Sequence, residues 1–67
     1  MDIRQRLAAN LRRLRALNGW SQEEYADRAG IHRTYVSDLE RAARNPTIQV
    51  IEKLAKPFKI KAGELLD

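Results

Sequence analysis

A chain of 67 residues has room for one small domain and no more. Cysteine is absent, which excludes a disulfide framework and thiolate metal sites, and no run approaches the roughly 20 apolar residues that span a bilayer. Thirteen Lys and Arg against nine Asp and Glu leave a formal charge of +4, a balance that suits an anionic partner without naming one.

Residues 1–6 lack the apolar run of a secretory signal, so a soluble, cytoplasmic protein is expected. Ile3, Leu7, Leu11 and Leu14 recur at spacings of four, four and three, marking one face of a first helix. Asp2 can cap its start, and Asn18-Gly19 supplies a left-handed stop. Arg4, Arg6, Arg12, Arg13 and Arg15 fall in this segment, most of them on its solvated faces. Ser21-Gln22-Glu23-Glu24 has capping-box spacing, with Ser21 receiving the Glu24 N–H and Glu24 reaching back. Trp20, just before the cap, can fold inward as a hydrophobic staple. The second helix should stop at Gly30. A third begins near His32 or Arg33 and turns Val36 and Leu39 inward. Thr47, after Asn45-Pro46, can cap a fourth helix whose buried face holds Ile48, Ile51, Leu54 and Ala55. Pro57 cannot donate to the ladder and should end that helix near Lys56. Leu65 and Leu66 suggest a last short helix, weakened by Gly63. Nothing reads as a strand. The expected fold is all-α: a compact bundle of about five short helices forming a single domain over residues 1–67.

The informative stretch is residues 22–41, QEEYADRAGIHRTYVSDLER. It reads as two short helices joined by a tight turn. Ala26 sits mid-helix, where a larger side chain would keep the next helix away. Gly30 sits in the turn, where a positive φ would penalise any residue with a Cβ. Ile31, Val36 and Leu39 then anchor the second helix of the pair at a steep angle, as a helix-turn-helix requires. Residues 33, 34, 37 and 38 share one helical stripe opposite Val36 and Leu39. Arg33 can bond bidentately to guanine, Thr34 can touch a thymine methyl, Asp38 can accept from a cytosine amino group, and Ser37 can serve a base or a phosphate.

The segments LRRLRALNGWSQEEYADRAGI, HRTYVSDLERAARNPTI and IEKLAKPF resemble the Cro/repressor-type helix-turn-helix (XRE) family, and the resemblance covers nearly the whole chain. It implies a five-helix, lambda repressor-like DNA-binding domain and a sequence-specific regulator of transcription, a repressor that binds a palindromic operator as a homodimer. By the matching positions, the start of the third helix enters the major groove with Arg33, Thr34, Ser37 and Asp38 toward base edges. Gln22 resembles the family residue that binds a phosphate at a helix start. Arg41, Arg44 and Asn45 would supply further phosphate contacts, which fix register and read no sequence. Arg15 and Glu40 match a partly buried ion pair between the first and third helices, a structural feature.

Departures from the pattern carry their own expectations. Tyr25 stands where Leu is common, so either its hydroxyl reaches an edge or its helix packs differently. Ala42 replaces a frequent Gly, at about 1 kcal/mol if φ there is positive. His32 stands where Ser is frequent and can cap, contact phosphate or lie idle on the surface. Pro57, Lys59 and Gly63 alter the usual ending, although Phe58, Ile60, Leu65 and Leu66 still suggest a dimer surface there. The same fold could serve an antitoxin-like protein that masks a partner protein and binds DNA secondarily. Lipid binding by the arginine-rich first helix conflicts with the use of its apolar face in the core. One His without Cys or clustered carboxylates makes no zinc site. Neither a nucleophile–base pair nor a phosphate-cradling glycine loop is present, so no enzyme and no cofactor are expected.

Overall fold

The computed structural model describes residues 2–67. Among them are four α-helices, α1 (Ile3–Leu17), α2 (Gln22–Ala29), α3 (Arg33–Glu40) and α4 (Ile48–Ala55), and two 3-10 turns, Lys56–Phe58 and Ala62–Leu66. The fifth helix expected from Leu65 and Leu66 is therefore a tight 3-10 turn. Gly63 lies inside it, where the high backbone entropy of glycine disfavours an α-helix.

Side chains satisfy the helix starts. Asp2 accepts from the Gln5 amide at 3.1 Å while the Gln5 side chain accepts from the Asp2 amide, closing a full capping box. Ser21 and Thr47 accept the amides of Glu24 and Val50 at 3.0 and 3.2 Å. The box expected at Ser21 is only half built, because the Glu24 carboxylate turns to Arg28 one helical turn on, at 2.8 Å. α1, α2 and α3 end alike, each followed by a left-handed residue: Gly19, Gly30 and Ala42, with φ of +69°, +72° and +59°. In each case two amides double back to the helix, as at Gly30 to Asp27 and Ile31 to Ala26.

Leu7 and Leu11 from α1, Tyr25, Ala26 and Ala29 from α2, Val36 and Leu39 from α3, and Leu54 and Ala55 from α4 meet in one core. Trp20 and Phe58 stack at 5.5 Å and Tyr25 and Phe58 at 4.8 Å, closing the core at the end of α4. The Tyr25 hydroxyl reaches no edge. It is fully buried and donates to the Leu54 carbonyl at 2.6 Å, which satisfies a polar atom that Leu would not carry.

Two expected surfaces are corrected. Ile48 is 83% exposed rather than inward. It fits the apolar period, but α4 packs on α2 and the 3-10 turns and is buried at Leu54 and Ala55, so its first turn projects past the core. Leu65, expected on a dimer surface, is wholly buried within the monomer. The Asn10 side chain donates to the Leu65 carbonyl at 2.8 Å and Arg6 Nε to the Leu66 carbonyl at 3.0 Å, drawing this last turn onto α1. Phe58, Ile60 and Leu66 are half-buried against the same core, so these residues first of all close the monomer.

Candidate nucleic-acid interface

The tight turn between α2 and α3 decides what α3 can present. Gly30 takes φ +72°, and a Cβ there would meet nothing within 4 Å, so the glycine serves backbone conformation rather than close packing. Ala26, almost fully buried, lets α3 approach α2. His32 caps α3: its Nδ1 accepts from the Thr34 amide at 3.1 Å. Of the roles open to His32, the structure gives it this one.

With Val36 and Leu39 completely buried, the opposite edge of α3 is committed to face outward. Arg33 and Thr34 are exposed, and Ser37 and Asp38 are half-buried on the same side. Arg33 lies 3.6 Å from the Glu23 carboxylate. Both side chains are well solvated, and such a pair contributes little. Asp38 is more engaged than the expected cytosine contact requires. Arg41 Nη2 donates to its Oδ1, and Arg44 Nε donates to Oδ2 at 3.2 Å. The Arg41 bond, followed by that of Arg44, holds the Asp38 carboxyl below the ordinary range. The Arg44 guanidinium lies 4.7 Å from the centre of the Tyr35 ring. Asn45, the next residue along the chain, is exposed.

Behind the exposed edge, a polar node fixes α3 to its neighbours. Arg15 donates from Nε and Nη2 to the two Glu40 oxygens at 2.7 and 2.9 Å, and from Nη1 to the Trp20 carbonyl at 3.0 Å. Gln22 Nε2 adds a bond to Glu40 Oε1 at 3.1 Å, and Arg12 donates to the Glu40 backbone carbonyl. The Glu40 side chain is only 4% exposed, so its charge is matched by a bidentate partner in the geometry such burial demands. Glu40 raises the pKa of Arg15, mainly through these hydrogen bonds. Gln22, expected to bind a phosphate, is thus oriented at the start of α2 by the last residue of α3.

The structure therefore brings Arg33, Thr34, Ser37 and Asp38 to one edge, with Arg41, Arg44 and Asn45 beyond its C-terminal end and Gln22 at the start of α2. Sequence reasoning left out Tyr35 and Arg12. The spacing of Asp38 to Arg41 at i, i+3 could have signalled the acidic centre of the cluster. No local pattern announces Arg44 over Tyr35, nine residues apart. No helix among the described residues is long and apolar enough to cross a membrane.

Two short helices joined by a glycine turn, the second with a buried inner face and an exposed polar edge, define a helix-turn-helix protein. Comparison with known proteins agrees. A family model described as helix-turn-helix matches residues 11–65. Control protein C.SmaI of Serratia marcescens is 42% identical over 66 residues, which is 98% of this chain and 79% of that protein. The crystal structure of a hypothetical transcription factor from Neisseria aligns with a TM-score of 0.94 and 45% identity, over 98% of this chain and 76% of the other. A structure of SinR, the master regulator for biofilm formation, in complex with DNA aligns with a TM-score of 0.85 and 32% identity, over 91% and 98%. The chain belongs to the Cro/repressor-type (XRE) helix-turn-helix family.

Proposed function

We propose that this chain is a cytoplasmic, sequence-specific double-stranded DNA-binding regulator of transcription, which represses as a homodimer from a two-fold symmetric operator. The observation that carries the reading is the division of α3: Val36 and Leu39 lock its inner side while Arg33 and Thr34 stand exposed on the other. A rod held in this way can enter a major groove without rearranging. Arg33 then bonds a guanine, Thr34 meets a thymine methyl and Ser37 reaches a base or phosphate. Gln22, Arg41, Arg44 and Asn45 bind the flanking phosphates and set the register.

Size favours the pair. The domain measures 27 × 22 × 21 Å, less than the roughly 34–36 Å between successive major-groove faces on one side of a duplex. One copy presents one recognition edge and buries too little for tight specific binding. Two copies related by a two-fold axis read two half-sites. The 42% identity with C.SmaI over nearly the whole chain favours, within this reading, a regulator of the control-protein type.

Selection of bound sequences from a random duplex pool, followed by sequencing, tests the proposal. A two-fold symmetric consensus with half-sites about one helical turn apart is expected. Recovery of no enriched sequence at low ionic strength would remove it, and an asymmetric single half-site would remove the dimer.

A further inference from the structure

Asp38 lies on the recognition edge, yet its surroundings are those of a brace. Its side chain is 17% exposed, and an arginine occupies each carboxylate oxygen. Tyr35, three residues earlier on α3, supplies a second wall on which the Arg44 guanidinium lies. The arginines themselves remain open, with side chains 66% and 49% exposed for Arg41 and Arg44. Each gives Asp38 one nitrogen, Nη2 from Arg41 and Nε from Arg44, and a guanidinium carries five N–H donors in a fixed fork. Most of the donor capacity of both side chains is left for another acceptor.

We propose, resting on the reading that this edge binds DNA, that Asp38 is a positioning residue that reads no base and instead holds Arg41 and Arg44, together with Tyr35, as a preformed two-arginine grip on the phosphates beside the end of α3. The two arginine N–H groups already fill two of the roughly four acceptor sites of the carboxylate, and with the side chain only 17% exposed little of the remainder is open to a cytosine amino group. A long side chain that is already ordered, by contrast, loses little further freedom when it meets a phosphate. The cost of carrying a carboxylate near the DNA backbone is limited because two cations flank it.

The test compares the wild-type chain, Asp38→Asn and Asp38→Glu, and also Arg41→Ala/Arg44→Ala with and without Asp38→Asn. Affinity is measured on the selected duplex and on every single base-pair change of one half-site, at one low salt concentration. Asp38→Asn should weaken binding to all the duplexes in parallel, about three- to tenfold, the scale of ordering one or two arginines. Asp38→Glu should recover most of that loss, and Asp38→Asn should have little effect once both arginines are gone. Loss confined to one base pair would make Asp38 a base reader and overturn the proposal. So would tighter binding to every duplex, the mark of a carboxylate that only repels DNA or sequesters the arginines. An equal loss in the arginine-free background would assign Asp38 to the fold and overturn it too. A wild-type chain that prefers no duplex would instead remove the DNA-reading function itself, and the grip with it.

Discussion

Gly30 and Ala42 share one backbone state, φ +72° and +59°, at the ends of the consecutive helices α2 and α3. Each lies in the same hydrogen-bonded ending. The Ala42 amide returns to the Leu39 carbonyl at 3.1 Å and the Ala43 amide to the Asp38 carbonyl at 2.9 Å. The difference is that Ala42 carries a Cβ into the left-handed region, which costs about 1 kcal/mol. Ala42→Gly should therefore stabilise the domain by about 1 kcal/mol, raising Tm by roughly 4–8 °C for a chain of this size. An unchanged or lower Tm in a thermal melt would show that the strain relieved does not exceed the freedom glycine adds to the unfolded chain.

The Arg15–Glu40 pair should act in the opposite direction. Arg15→Ala strands a carboxylate that is 4% exposed, leaving Gln22 as its remaining side-chain partner. Loss of one member of a buried pair costs about 3–5 kcal/mol, and the partial exposure of Arg15 puts this case near the lower figure. Urea unfolding should register that loss. Replacing both residues, Arg15→Met with Glu40→Leu, should regain much of it because no charge is left unpaired. A single-variant loss below about 1 kcal/mol would class the pair with surface bridges.

Tyr25 couples the fold to alkaline pH. Burial, with a smaller contribution from the Glu40 charge, raises its pKa above the ordinary 10.0. Above pH 10 the unfolded chain releases this proton while the folded chain keeps it, so the unfolded state binds fewer protons and stability falls as pH rises. Below that pH both states are protonated and Tyr25 makes no pH-dependent contribution. Tyr25→Phe should lower stability at neutral pH by about 1 kcal/mol through loss of the bond to Leu54, and should flatten the fall above pH 10. Parallel curves for the two proteins would exclude Tyr25 as the source.

The features legible in the sequence are those decided within one turn of chain. Asp2, Ser21 and Thr47 cap where their spacing says they should, and Gly19 and Gly30 turn where a positive φ is needed. What escaped depends on residues far along the chain. Ile48 satisfies a helical period but has no neighbour to bury it. Leu65 lies in a weak segment, yet Asn10, 55 residues earlier, catches its carbonyl. At the recognition edge the stripe of four residues was readable from periodicity. The i, i+3 spacing of Asp38 and Arg41 was open to the same reading, whereas the capture of Asp38 by Arg44 was not, because it depends on how the chain turns at Ala42.

Arg33 is an exposed candidate reader of sequence, with a loose partner in Glu23 at 3.6 Å. Arg33→Ala should lose about 1–3 kcal/mol on the selected duplex and relax preference at one base pair, as removal of a bidentate guanine contact does. The binding panel with single base-pair changes measures this directly. Equal loss on every duplex would move Arg33 from the base edges to the phosphates.

Arg44 should show the complementary behaviour. Its guanidinium lies over Tyr35 and against Asp38 beyond the end of α3, and in the proposed reading it neutralises a phosphate rather than meeting a base edge. Each neutralised phosphate releases condensed counterions, giving a slope of about −0.9 in log K against log salt per contact on duplex DNA. Arg44→Ala should therefore weaken binding by the same factor on preferred and non-preferred duplexes. It should also make the salt dependence shallower by about one unit. Titrations at several salt concentrations on two duplexes give both quantities. An unchanged slope would remove Arg44 from the interface, whereas a loss restricted to the preferred duplex would make it a reader of sequence.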